Sequence, residues 1–189
     1  MGGCMGVCSA ASFAVAYPEV TLSMVLVWPV GGARYRLNAH ERFARHLHYV
    51  SENGLASVAA LAQASDRSFG QDPRIGPWGT VIRSDAAFAA SFVEQDIESY
   101  KQLVAGTGRT LIDRDTVPGA EPEDLLRIEA RALIVPGNDT SHATSAARYL
   151  QECLPRAEYW DDPVDEQTEE RTRSRLLSFL EACGSRLSS

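Results

Sequence analysis

The tightest constraint on this chain lies at residues 2–6, Gly2-Gly3-Cys4-Met5-Gly6, where one cysteine is set between glycines. Glycine closes a backbone turn without Cβ clashes, so a residue flanked this way can sit at a sharp bend. The chain then enters a stretch of small and apolar residues, and Met5 to about Ala16 reads as a helix able to pack closely on a sheet. Pro18 ends it, since proline cannot continue the hydrogen-bond ladder. Leu22 to Trp28 is apolar nearly throughout, as a strand buried on both faces of a parallel sheet is. Pro29 and Gly31-Gly32 break that pattern.

From Tyr35 to about Asp124 the texture changes to helices separated by glycine and proline clusters. Asn38 with Glu41 three residues later forms a capping box for a helix through Ser51, stopped by Asn53-Gly54. A second helix covers Leu55 to Ala64, and residues 71–79 form a loop rich in proline and glycine. A third helix starts at Ser84 or Asp85, carries Phe88, Phe92, Ile97, Tyr100 and Leu103, and ends at Gly106-Thr107-Gly108. The strand pattern returns at Ala132-Leu133-Ile134-Val135-Pro136. A helix from about Thr144 to Cys153, a short strand around residues 157–160 and a last helix from about Glu169 to Ala182 follow. That last helix is expected to turn Leu176, Leu177, Phe179 and Leu180 inward.

The order of tight turn, small-residue helix, Tyr17-Pro18-Glu19 and buried strand resembles the nucleophile elbow of the α/β-hydrolase superfamily, with Cys4 where serine is usual. Ala132 to Asp139 resembles the seventh strand and the loop bearing the catalytic acid, and Leu154 to Trp160 the passage from helix to eighth strand. The resemblance implies an α/β fold: the C-terminal half of a hydrolase-like parallel sheet, residues 1–34 and 125–189, with a helical lid inserted over 35–124. It also implies that the strand before the elbow is not in the chain, which is then expected to be N-terminally truncated and to self-associate through an exposed sheet edge.

The same resemblance assigns roles. Cys4 is the nucleophile, as in dienelactone-hydrolase-like members. At a helix N-terminus it lies beside the positive end of the helix dipole and unpaired N–H groups, the setting in which cysteine attacks. The Met5 N–H is one half of an oxyanion hole. Asp139 is the acid that orients a histidine. The superfamily takes that histidine from the loop after the last strand, but here residues 161–166 are Asp161-Asp162-Pro163-Val164-Asp165-Glu166, acidic and without histidine. His142, three residues after Asp139 and outside the lid, is the candidate for a displaced base. Trp78, Phe88 and Phe92 are candidates to line an apolar substrate pocket, or else pack the lid helices together.

Composition narrows the rest. The chain has 189 residues, 44% hydrophobic and 23% charged, in the range of an ordinary folded domain. Its net charge of −7 argues against a nucleic-acid surface, which needs a basic face. No apolar stretch approaches the ~20 residues a membrane span requires, and a cytoplasmic setting is expected. Cys4, Cys8, Cys153 and Cys183 match no zinc spacing, and His40, His46 and His48 fall in one helix without a further ligand, so neither metal nor cofactor is expected. The expected activity is hydrolysis of an ester, thioester or related acyl bond of a small molecule. The competing reading is an inactive pseudoenzyme or small-molecule binding module.

Overall fold

Four apolar or glycine-bearing segments pair as one all-parallel sheet in the computed structural model, which describes residues 1–112 and 119–184. The strands are β1 (Gly2–Gly3), β2 (Ser23–Val27), β3 (Arg131–Val135) and β4 (Ala157–Tyr159), adjacent in that order. Gly2 pairs with Leu26 and Gly3 with Val27, so two residues of strand do stand before Cys4. That corrects the expectation that no strand precedes the turn. β2 and β3 pair along their full length, Ser23 with Arg131 through Val27 with Val135.

Parallel strands need crossovers, and helices supply them. α1 (Gly6–Ala16) links β1 to β2, and α7 (Thr144–Cys153) links β3 to β4. The strands are sealed on both faces. Met24, Leu26, Ala132 and Ile134 meet Val7, Ala11 and Ala14 of α1 and Ala146, Ala147 and Leu150 of α7. The alternate residues Val25, Leu133 and Val135 meet Trp160 and Phe179, the latter from α8 (Glu169–Gly184). This period-two division explains why both strands read as unbroken apolar runs. Burying each such side chain contributes roughly 1.5–3 kcal/mol. On α8 the inner residues are Leu176, Phe179 and Cys183, spaced three and four apart. Leu177 and Leu180 remain half exposed, contrary to the inward placement expected for them. Glu158 on β4 accepts from Arg131 of β3 and Arg175 of α8, joining three elements.

Two compact units divide the chain: residues 1–35 with 119–184, which hold the sheet, and residues 36–112, which are helical. α2 (Ala33–Gln63) begins five residues before Asn38, so Asn38 lies inside the helix and is not its cap. It bends at Gly54, where φ 73° and ψ 172° are not helical. After the short α3 (Gly79–Ser84), α4 (Ala86–Val93) is capped by Asp85, whose carboxylate accepts from the Ala87 and Phe88 N–H groups. The expected third helix is therefore two helices, because the chain breaks after Val93 and restarts at α5 (Ile97–Ile112). α5 runs through Gly106 and Gly108, whose cost is offset by tertiary packing: Val104 and Ile112 are buried, and Phe43 lies beside Gly108. A four-residue helix, α6 (Pro122–Leu125), precedes β3.

Candidate active site

Cys4 follows β1 directly and is one of two non-glycine residues with positive φ among those described, at 54°. The turn is pinned at both ends: the Cys4 N–H donates to Val27 O at 3.0 Å, and the Cys4 carbonyl accepts from Val7 N–H at 3.1 Å. A Cβ on Gly2 would stand 2.2 Å from the Gly6 carbonyl oxygen, so position 2 has no room for a side chain. Gly6 differs, since nothing lies within 4 Å of where its Cβ would be. Only the first of the two flanking glycines is required by contact. Met5 caps α1 with helical φ and ψ and no side-chain cap, and its N–H meets no acceptor among the described residues.

The loop after β3 supplies the other two groups. Asp139 folds it into a tight turn: one carboxylate oxygen accepts from the Ser141 N–H at 2.7 Å and the His142 N–H at 2.9 Å. The same carboxylate meets His142 Nδ1 at 2.8 and 2.9 Å. An ionised carboxylate only accepts, so Nδ1 carries the proton and Nε2 presents a lone pair. Nε2 lies 3.2 Å from Cys4 Sγ. Cys4, His142 and Asp139 thus form one hydrogen-bonded line, with 138 positions of sequence between Cys4 and His142.

Several contacts hold the His142 loop there. Gly31 N–H donates to Ser141 O at 3.0 Å, and Thr144 Oγ1 donates to Gly137 O at 3.2 Å. A Cβ on Gly137 would come within 2.6 Å of His142 Cβ, so that glycine admits the histidine. The indole of Trp28 packs 5.8 Å from the imidazole, centroid to centroid. The His142 side chain is 14% exposed and that of Asp139 52%. The hydrogen bond from His142 holds the Asp139 carboxyl below its ordinary range, with the backbone N–H groups adding to the effect and partial burial opposing it. Burial pushes the Cys8 thiol up to about 11, against a backbone hydrogen bond.

The remaining aromatic and histidine candidates belong to the helical unit. Phe92 is 1% exposed in the core of the helical unit, and Phe88 and Trp78 pack partly buried against that core. His46 is buried between the Tyr100 hydroxyl and the Arg74 carbonyl, while His48 pairs with Glu52 at 3.4 Å. Among the described residues no cluster of three or more His, Cys, Asp or Glu side chains is placed to hold a metal ion. In the acidic loop, Asp161 pairs with Arg148, and Asp162 and Glu166 pair with Arg171, which offsets charge that the sequence leaves unbalanced. Sequence reasoning passed over Trp28 and Gly137. The one available signal was an indole at the end of an apolar strand, immediately before Pro29.

Set against protein-family models, curated proteins and solved structures, the chain gives no significant match to any of them. Among the described residues no helix is long and apolar enough to cross a membrane.

Proposed function

We propose that this protein hydrolyses an ester, thioester or related acyl bond of a small molecule through Cys4, with an α/β-hydrolase-like arrangement of elbow, acid and histidine. The observation that carries the reading is the 3.2 Å approach of His142 Nε2 to Cys4 Sγ, with Asp139 on the opposite ring nitrogen. Nucleophile, base and orienting acid in hydrogen-bond sequence are what covalent acyl transfer requires. In the elbow reading, β1 and β2 correspond to the strands on either side of the nucleophile helix. The helical unit, inserted in sequence between β2 and β3, corresponds to a cap.

The chemistry runs in two halves. Cys4 Sγ attacks the acyl carbon while its proton passes to His142 Nε2, and the carbonyl π pair moves onto oxygen, where the Met5 N–H is available to donate. Collapse of the adduct breaks the bond to the leaving alcohol or thiol, which takes the proton from Nε2, and the acyl group stays on sulfur. Water then attacks the thioester as Nε2 takes its proton. The second adduct expels sulfur, which recovers the proton, and a carboxylic acid leaves. Asp139 keeps its charge throughout and fixes the tautomer.

The test is turnover of p-nitrophenyl esters and aryl thioesters, with mass spectrometry of the quenched protein. A Cys4-linked acyl adduct, lost in Cys4→Ala together with turnover, is the expected result. No turnover by the parent, or product release by Cys4→Ala and His142→Ala at the parent's rate, removes the hydrolase reading of this site and favours a binding module.

A further inference from the structure

Two non-glycine residues have positive φ among those described, and they stand at equivalent places: Cys4 at 54° one step past β1, and Trp28 at 52° one step past β2. Since Gly3 pairs with Val27, Cys4 and Trp28 are the next residues on neighbouring strands. A left-handed conformation is a true outlier for a bulky side chain, and it persists only where the surroundings over-determine it. At Cys4 the nucleophile reading accounts for it. At Trp28 nothing in that chemistry does.

The surroundings of Trp28 are specific. Its N–H donates to Val135 O at 2.8 Å, which continues the β2–β3 ladder past the strand end and fixes the backbone there. Its indole meets the imidazole of His142 at 5.8 Å with the rings tilted by 52°, within the range of favourable aromatic contacts. A Cβ on Gly137 would lie 2.6 Å from His142 Cβ, so this glycine makes room for the histidine, and Trp28 Cγ lies beside the same position at 3.4 Å. Three residues beyond Trp28 the same segment grips the histidine loop again, with Gly31 bridged to His142. Asp139 constrains His142 through Nδ1 and the backbone, but two bonds on one side leave the ring free to swing about the line toward sulfur. The indole, packed at a tilt against the ring, limits that freedom.

We propose that Trp28 is a positioning residue: its strained backbone aims the indole at His142 and holds Nε2 on Cys4. This rests on the reading of Cys4 and His142 as nucleophile and base. In the scheme the effect of Trp28 passes through the His142 ring that it packs against.

The experiment is a double-mutant cycle read by the rate of Cys4 alkylation with iodoacetamide, which needs no substrate, alongside thermal melts. Glycine adopts positive φ at no steric cost, so Trp28→Gly removes the ring and relieves the strain together. Expected are alkylation slowed roughly tenfold in Trp28→Gly, the scale of a displaced catalytic group, and a change within about twofold in Trp28→Phe. Trp28→Gly is expected to add nothing in a His142→Ala background, since coupled residues are non-additive. Equal slowing in both backgrounds, or faster alkylation in Trp28→Gly, overturns the proposal and leaves the catalytic reading standing. No effect of His142→Ala alone overturns both. If Trp28→Gly does not fold, Trp28→Leu takes its place in the same cycle with the same outcomes.

Discussion

Asp139 holds His142 at two places at once, accepting from the backbone N–H at 2.9 Å and meeting ring Nδ1 at 2.8 Å. One carboxylate therefore sets both where the histidine loop turns and which ring nitrogen is protonated. Asp139→Asn removes the charge but keeps a carbonyl oxygen able to cap the turn, whereas Asp139→Ala removes both. Turnover is expected to fall about 10²–10⁴-fold in Asp139→Asn, the range for losing an oriented general base. A lower melting temperature is expected in both variants, with the larger drop in Asp139→Ala. Because the hydrogen bond from His142 depresses the Asp139 carboxyl, its contribution is complete above the unfolded value near 3.9. That contribution is lost as pH falls through the lower folded value. Activity that declines at pH 5 through protonation of this carboxyl would contradict the geometry.

The four free cysteines rank by environment. Cys4 is exposed with a base on its sulfur, while burial raises both Cys8, to about 11, and Cys153. Thiolates, not thiols, are alkylated. At neutral pH, iodoacetamide is expected to modify Cys4 faster than Cys8 or Cys153, where burial disfavours the thiolate. Peptide mapping over a time course checks this. Labelling of Cys8 at the rate of Cys4 would remove the distinction on which the nucleophile assignment depends.

Where a single period governs, the chain is legible. β3 announces itself because both its faces are buried, and α7 because Ala146, Ala147 and Leu150 share one face. The break after Val93 escapes sequence reading, since Phe88, Phe92 and Tyr100 keep helical spacing across it. The break is made instead by Asp96, which caps the restarted helix at the Ser99 N–H. Continuation of α5 through Gly106 and Gly108 goes with the burial of Val104 and Ile112, which the glycines do not announce. In the site, Cys4 and Asp139 are readable from what precedes and follows them. His142 is named from the sequence as the histidine outside the lid segment, but what brings it to Cys4 is Gly137, Gly31 and Trp28 folding one loop onto another strand's end. Nothing local encodes that.

The two glycines flanking Cys4 should respond in opposite ways. Gly2→Ala drives a Cβ to within 2.2 Å of backbone oxygen, which must open the turn. A cost of about 1–3 kcal/mol is expected, as for other overpacked sites, together with loss of Cys4 reactivity. Gly6→Ala meets open space at the start of α1 and gains helix propensity, so stability should be unchanged or higher by up to ~1 kcal/mol. Denaturant unfolding of the two variants separates these outcomes. Similar destabilisation by both would mean that the turn is not built as described.

His46 makes the helical unit sensitive to acid. Its ring is fully buried, with Nε2 2.7 Å from the Tyr100 hydroxyl and Nδ1 3.2 Å from the Arg74 carbonyl. The neutral ring satisfies both: Nδ1–H donates to the carbonyl, and Nε2 accepts from the tyrosine. A second proton would leave two N–H donors, one of them facing a hydroxyl already turned toward it. Burial accordingly lowers the His46 value, although the Arg74 and Pro73 carbonyls act the other way. With the folded value below the unfolded one near 6.5, the unfolded chain binds the extra proton first as pH falls. The contribution of His46 is therefore complete above about pH 6.5 and is lost as pH falls through its depressed folded value. Melting temperatures of the parent and His46→Gln, taken from pH 8 to pH 5, should converge in acid, the parent losing more on the way down. Parallel curves would mean that His46 takes up its second proton equally in the folded and unfolded chain, and the lowered value would not stand.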